Sequence, residues 1–489
     1  MMGHKERTFD NHSNIYIEDL IPPTNFYRSL QKHIDLTFVY EIVGDKYCWW
    51  TGRPSLDPVV FFKLQLIMFF DDIRSERKLL ETVQVNLAHR WYLGYDFNDN
   101  LPHQSSLTRT RERYGLSIFQ QFFEHFVEQC IEANLVWGEE AFFDGTQVRA
   151  NASSDGQKMQ PRFYIEAQEF IAQQFTNELD TEREKTSNSM HNRWTYTQKY
   201  MDYVPEDRTK GRYQPHIKYK VSPVDSDATF LRAGDGNKRY MGYHVHYAVD
   251  GGRSRIILAV LTTPSTVSDN MPLLDMQRWM RFRWQLPLKR IVADTKYGTR
   301  WNIYNVEQDG LQAFIPIPDY QKRTSNYPDE MFTYVPEHNH YICPQNEILE
   351  FSYHVQSQQV GYYLSKTKAC LSCSVKTDCT KNKIGKLMRR SWFQNEIDRS
   401  KAYTDTWLYK KSMRKRSVWV EPIIGEAKQW HHGRQFRLRG IIKVNIEALI
   451  RATGQNIKRL LKSRRSSRLS PTMFQILQIP EPIADLVAG

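Results

Sequence analysis

The chain has 489 residues, and its 67 Lys and Arg against 55 Asp and Glu give a formal net charge of +12 and a pI near 9.2. That length accommodates roughly two to four domains of ~100–200 residues, and a field of that sign favours polyanions, so nucleic acid is the first partner to test. A secreted or membrane-spanning protein is disfavoured. Met1 to Asn11 is polar and charged rather than a signal peptide. The longest apolar run, Val59 to Phe70, contains Lys63 and Gln65 and falls short of the ~20 residues a spanning helix needs. A cytoplasmic location and no membrane partner are expected.

Residues 15–135 read as an all-α N-terminal domain. Asp57-Pro58 is a helix start signal, and Val59 to Phe70 should follow as a helix buried nearly all round. Ser75 to Trp91 reads as a second helix, with Leu79, Leu80, Val83 and Leu87 on one stripe. Ser105 to Tyr114 is short and strongly basic. Its Arg109, Arg111 and Arg113 are candidate DNA contacts in a helix-turn-helix-like module, or else an ordinary solvated face. Phe119, Phe122, Phe123, Phe126, Val127 and Cys130 recur at helical spacing and define a packed helix. Cys48 and Cys130, among hydrophobic neighbours, read as inert core thiols.

In Phe142-Phe143-Asp144-Gly145 one carboxylate ends an apolar run. Residues 152–216 form a polar, charged arm with helical periodicity only around Phe163 to Phe175. From Met241 to Asp250 the chain alternates like a strand, turns at Gly251-Gly252 and returns through Arg255 to Thr263. A helix over Asn270 to Trp284, a strand over Leu288 to Asp294, a helix over Arg300 to Asp309 and a strand over Ala313 to Ile317 complete an α/β pattern. His244 and His246 share a strand face, where packing is commoner than ligation. Asp250 fits a turn and Asp269 a helix cap. Asp294 follows Ile291-Val292-Ala293 at the carboxyl edge of a buried strand, where α/β sheets keep their chemistry.

Between residues 319 and 403 that rhythm stops, and Cys343, Cys370, Cys373 and Cys379 appear. A CxxC pair with two further cysteines suits a structural Zn²⁺ held by four thiolates; a metal-free thiol cluster and a redox pair are the alternatives. Residues 404–462 return to helix. There Glu421 ends Val418-Trp419-Val420, Pro422 starts or kinks a helix, and Lys428 lies two turns on. Val444 to Leu461 reads as another packed helix. Basic clusters at Lys410-Lys411, Arg414 to Arg416, Arg434 to Arg439 and Lys462 to Arg468 are a footprint for phosphates, and 463–489 forms a basic tail.

Three carboxylates at the edges of apolar segments, Asp144, Asp294 and Glu421, would suit a pair of Mg²⁺ ions acting on phosphodiesters. At these residues the chain resembles a known family. Asp144-Gly145-Thr146 with Ala150-Asn151-Ala152, then Ala293-Asp294-(x)2-Tyr297, then Val420-Glu421-Pro422-(x)2-Gly425-(x)2-Lys428 and Arg439-Gly440 resemble the DDE transposases of bacterial insertion sequences. Gly52 to Pro58, Ser75-Glu76-Arg77 and Asn86 to Trp91 are similar to the helical domain that precedes the core in one branch of that family. The likeness runs from about Ile15 to Leu461.

The resemblance implies an RNase H-like catalytic core over 139–318 and 404–462, with the Cys-rich segment 319–403 as a small insertion. Asp144, Asp294 and Glu421 would bind two Mg²⁺, with Mn²⁺ as a substitute, and Lys428 would join the catalytic set. The implied reaction is cleavage at element ends and strand transfer into target duplex DNA, by a homodimer on DNA. Arg416 and Arg439 join the candidate DNA contacts. A related signature, Tyr-(2)-Arg-(3)-Glu-(6)-Lys, survives here in Glu421 and Lys428; Arg414 and Ser417 stand at its Tyr and Arg positions, and Arg416 is one residue from the expected Arg. The alternatives are a catalytically inactive, zinc-stapled DNA-binding protein and a hydrolytic nuclease of the same fold.

Overall fold

A computed structural model of the chain describes residues 16–48, 55–153, 160–163, 218–232, 239–318, 326–356 and 359–466. The block Gly52-Arg53-Pro54, most of the 152–216 arm with its Phe163 to Phe175 periodicity, and the tail from residue 467 lie outside them. The chain divides into two compact units. The first comprises residues 1–137, 145–267 and 422–489, the second residues 138–144 and 268–421.

The first unit opens with helices α1 (Phe26–His33), α2 (Phe38–Val43), α3 (Pro58–Phe70), α4 (Glu76–Val85), α5 (Leu87–Leu93) and α6 (Gln104–Glu132). Asp57 starts α3, its carboxylate accepting from the Val59 and Val60 amides at 2.7 and 3.0 Å, with Pro58 in the first turn where its missing N–H costs nothing. Phe61, Phe62, Leu64, Leu66 and Ile67 of α3 are fully buried. The helix expected over Ser75 to Trp91 is two helices. Asn86 takes an extended backbone, and its side chain caps α5 by accepting from His89 N–H at 3.1 Å, so local capping outweighs the continuous apolar stripe. The basic segment and the Phe stripe share α6, which bends at Gly115 (φ 62°, ψ −172°), a conformation open to glycine. Phe62 stacks on Phe122 at 4.1 Å. Cys130 is buried, which pushes its thiol up to about 12, whereas Cys48, expected in the core, is exposed.

Strands β1 (Glu140–Arg149), β2 (Gln160–Phe163), β3 (Lys218–Val221), β4 (Thr229–Arg232), β5 (Arg239–Asp250) and β6 (Ile257–Pro264) follow. β1 belongs to both units, its first half to the second and its last five residues to the first. In the first unit β5 pairs antiparallel with β4 and with β6. Residues 241–250 are buried on both faces. His244 Nδ1 bonds the Val267 carbonyl at 3.0 Å and His246 Nε2 the Thr263 hydroxyl at 2.9 Å, so both belong to packing. Asp250 accepts from the Trp137 and Gly252 amides at 3.0 and 2.7 Å, the turn role its sequence suggests.

The second unit holds α7 (Leu273–Trp284), β7 (Arg290–Val292), α8 (Arg300–Gln308), β8 (Gln312–Phe314), and then β9 (Thr333–Val335), β10 (His340–Ile342), β11 (Ile348–Val355), β12 (Val360–Ser365), α9 (Thr367–Leu371), α10 (Lys376–Cys379), β13 (Leu387–Ser391), α11 (Gln394–Tyr403) and α12 (Trp407–Trp419). The first half of β1 pairs in parallel with β7, and β7 with β8. Ala141, Phe142, Ile291, Val292, Ala313 and Phe314 are buried, as in parallel sheets covered on both faces. Strands β9 to β13 form a separate five-stranded antiparallel sheet, order β13-β12-β11-β10-β9, around Phe332, Tyr341, Leu349, Tyr363 and Met388.

The chain closes with α13 (Glu421–Trp430) and α14 (Ile441–Ser466). The α12 helix stops at Trp419 and α13 starts at Glu421, because Pro422 fits only a first turn. In the first unit, α14 lies along β6. Asn456 both donates to and accepts from the backbone of Ile257, each at 2.9 Å, and Asn445 does the same with Thr262 at 2.9 and 2.8 Å. Two asparagine amides thus satisfy backbone groups on the edge of β6 that, among the described residues, no further strand reaches. No helix among the described residues is long and apolar enough to cross a membrane.

Candidate active site

The register of the parallel strands in the second unit places two of the three expected carboxylates. Phe142 is opposite Val292 in the last pair of the parallel register, and Asp144 and Asp294 each follow two residues later, Asp144 midway along β1 and Asp294 just beyond the end of β7. Asp294 also caps the turn Thr295–Tyr297, accepting from the Lys296 amide at 2.9 Å. In that turn Gly298 packs so closely on the Pro316 carbonyl that no Cβ fits. Tyr297 is buried beneath it. Burial and the charges of Asp269, Asp144 and Asp294 raise its phenol well above the usual range.

The third carboxylate, Glu421, is the first residue of α13 and is exposed. Arg416 links it to the others: one guanidinium nitrogen lies 3.4 Å from Asp144 Oδ2 and the second 4.0 Å from Glu421 Oε1. The position of Arg416 follows from the residues before it on α12. Buried Glu140, at the start of β1, accepts from the Ser412 hydroxyl at 2.5 Å and Lys415 Nζ at 3.0 Å, and pairs with Arg290 at 3.1 Å. Burial works to raise the Glu140 carboxyl, but the hydrogen bonds from Ser412 and Lys415 prevail and hold it below its ordinary value. Residues 412, 415 and 416 share a helix face, so anchoring two of them to β1 delivers the third to Asp144.

Asp269 is a member of this cluster that the sequence pattern assigns to a helix cap instead. The residue preceding α7 is Pro272, so Asp269 does not cap that helix. Asp269 is 14% exposed and ion-paired with Lys296 at 3.2 Å. Asp269, then Asp294 and Asp144, raise the Lys296 ammonium against the opposing effect of burial. No motif spacing connects residue 269 to 294; they meet because α7 returns the chain to the adjacent strand.

Lys428 lies on α13 within the first unit. The candidate DNA contacts separate. Arg109, Arg113 and Arg439 are exposed, with Arg109 hydrogen-bonded to Ser105 at 2.8 Å and Arg439 to the Asn151 carbonyl at 2.9 Å. Arg111 is buried and ion-paired with Glu76, which also takes Arg437 at 3.0 Å. An Arg at every second position turns around the helix, and the middle one faces the core.

Cys343, Cys370, Cys373 and Cys379 are brought together at one cavity of about 30 Å³ in the second unit. Burial raises the Cys379 thiol, Lys386 opposes that shift, and the other three cysteines add to it. Among the described residues, no three His, Cys, Asp or Glu side chains converge, as they stand, closely enough to hold a metal ion. The acidic cluster nevertheless offers hard oxygen donors of the kind Mg²⁺ takes, balanced in part by the Arg416 guanidinium.

Comparison with known proteins yields two family matches. Residues 15–113 match a transposase domain (DUF772), and residues 342–461 match a transposase DDE domain. The second match includes Glu421 and Arg416; Asp144 and Asp294 lie before it. Neither the curated proteins nor the solved structures give a significant match to this chain.

Proposed function

The chain belongs to the DDE transposases of insertion sequences, and from that premise we propose that Asp144, Asp294 and Glu421 are the carboxylates with which it cuts and joins DNA. The observation that carries this reading is the parallel pairing of β1 with β7, whose last pair, Phe142 and Val292, stands two residues before both Asp144 and Asp294, with Arg416 spanning from Asp144 to Glu421. An RNase H-like core fits the mixed arrangement, in which β1, β7 and β8 pair in parallel and Asp144 and Asp294 lie just past the end of the β1–β7 pairing.

The family generally uses divalent metals, and Mg²⁺, with Mn²⁺ as a substitute, suits this oxygen-only donor set. When bound, such ions supply an activated attacking oxygen and charge stabilisation at the leaving oxygen. The chain's own residues prepare that site. Asp144 supplies oxygens from within β1 and Asp294 from just beyond β7, Glu421 supplies a third carboxylate from the start of a helix, and Arg416 orients Asp144 and Glu421 while offsetting their repulsion. Lys428, on the helix Glu421 begins, is proposed as a contact to the DNA strand being processed.

Double-stranded DNA is the partner the family implies. Arg109, Arg113 and Arg439 are proposed as phosphate contacts; Arg111, buried against Glu76, is not among them. Two element ends must be processed together, so a homodimer on DNA in the cytoplasm completes the reading.

The test is Mg²⁺-dependent cleavage and joining of a labelled duplex carrying the ends that flank the gene. Glu421→Gln and Asp294→Asn should each abolish both activities and leave DNA binding intact. Cleavage without joining by the wild type would instead make the protein a nuclease, and binding without either would make it a DNA-binding protein.

A further inference from the structure

The four cysteines of the second unit lie outside the acidic site, and nothing in the proposed chemistry uses them. Cys343 sits in the turn between β10 and β11, Cys370 on α9, Cys373 just after it, and Cys379 at the end of α10. Cys343 therefore meets three cysteines that lie 27, 30 and 36 positions later in the sequence at one small cavity, and none is in a disulfide. We propose that they form a structural Zn²⁺ site, a tetrathiolate centre that staples α9 and α10 to the β9–β13 sheet.

Three observations point to that ligand. First, the turns have the form that thiolates favour. The Cys343 sulfur accepts from the Gln345 amide at 3.3 Å, the Cys343 carbonyl accepts from Asn346 N–H at 2.9 Å, and Cys373 N–H donates to the Cys370 carbonyl at 3.4 Å across the CxxC turn. Amide donors to sulfur strengthen when the sulfur is ionised.

Second, the charges balance. A Zn²⁺ with four thiolates carries a net charge of about −2, and the cavity is lined by Lys376 and Lys386. Lys386 is only 8% exposed; it donates to the Tyr327 carbonyl at 3.1 Å and lies 4.0 Å from Asp329, and its charge, with that of Lys376, would offset part of the charge of a tetrathiolate centre.

Third, the sheet needs a staple. Its core consists of Phe332, Tyr341, Leu349, Tyr363 and Met388, with Cys343 and Cys379 packed directly against it. A core this small rarely stabilises a β module without a metal or cross-link. The sulfurs surround the cavity without converging to ligand distance, so metal binding draws them inward and orders the module. Gly385 leaves room for this closure to hold: its φ is +121°, and a Cβ there would fall 2.7 Å from Ser365 Oγ and 3.2 Å from Cys370 Cβ.

The experiment uses the full chain purified under reducing conditions. Mass spectrometry should find about one zinc per chain, and cobalt exchange should give the intense visible absorption of a tetrahedral thiolate site. Cys343→Ser and the double variant Cys370→Ser/Cys373→Ser should lose the zinc, while Asp294→Asn should keep it, which separates this site from the acidic one. Should the double variant fail to fold, wild type decides alone: a chelator should release zinc and expose four thiols to a thiol reagent that did not reach them before. The proposal is overturned if native protein carries no zinc and all four thiols react at once, if they are found as disulfides, or if zinc persists in the double variant.

Discussion

The Arg416 guanidinium lies 3.4 Å from the Asp144 carboxylate, and it is delivered there by its neighbour Lys415, whose ammonium is 3.0 Å from buried Glu140. Anchor and site contact are adjacent on α12, so the geometry of the acidic cluster depends on an ion pair at the other end of the same half-strand. Arg416→Ala should lower Mg²⁺-dependent cleavage by roughly 10- to 100-fold, the scale of losing one positioned charge, and Arg416→Lys should recover only part of it because one ammonium does not replace the two-pronged contact. Single-turnover cleavage rates at saturating DNA measure this. A rate within twofold of wild type for Arg416→Ala would remove Arg416 from the site.

Asp269 gives a second, separable effect. It is the strongest neighbour of Lys296 and contributes with Asp144 and Asp294 to the negative field around Tyr297. Asp269→Asn should raise the Mg²⁺ concentration needed for half-maximal cleavage several-fold, because less negative charge attracts the ion, while most of the rate returns at high Mg²⁺. Asp294→Asn should not recover at any concentration. Titrating Mg²⁺ against cleavage rate distinguishes an outer carboxylate from a ligand; identical curves for the two variants would make Asp269 a ligand instead.

How much of this was legible in the sequence depended on the range over which each signal acts. Asp57-Pro58 announced α3 because a cap is made by neighbours in the chain. Asp144 and Asp294 were singled out because buried parallel strands are continuous apolar runs that end abruptly. Asp269 is visible only as a helix cap and Glu140 not at all, since their partners lie 27 and 275 residues away. The β9–β13 sheet was also invisible. Its strands β9 and β10 are three residues long, and β11 is largely exposed along its length, leaving almost no alternation to read. Arg111 was misread for a related reason: its charge suggested solvent, and only Glu76 on α4 shows why it is buried.

That pair predicts a division among the basic residues of α6. Glu76 is 11% exposed and holds both buried Arg111 and half-buried Arg437, so Glu76→Gln leaves both guanidiniums undercompensated. The variant should lose about 3–5 kcal/mol of stability, measured by urea unfolding. Arg109→Ala and Arg113→Ala should leave unfolding unchanged, weaken DNA binding across sequences, and each lower the salt slope of log affinity by about 1. If Arg111→Ala instead changed the salt slope and left stability alone, the buried ion pair would not be the one that matters in solution.

The first unit should also weaken in acid through Glu426. Its carboxylate takes Lys458 at 2.6 Å, Arg459 at 2.9 Å and Gln455 at 3.1 Å. Burial alone would raise this group, but the hydrogen bond with His431 and the charges of Arg459 and Lys458 hold it far below its ordinary value of 4.5. A carboxyl depressed on folding contributes stability that is fully present above its unfolded pKa and is lost as pH falls toward the folded one. Glu426→Gln should therefore cost about 3 kcal/mol at neutral pH, and the gap between variant and wild type should narrow steadily once the pH drops below about 4.5. Urea midpoints collected from pH 7 down to pH 3 test the sign. A gap that stayed constant over that range would mean that Glu426 is not depressed on folding, and a gap that widened would mean that its pKa is raised.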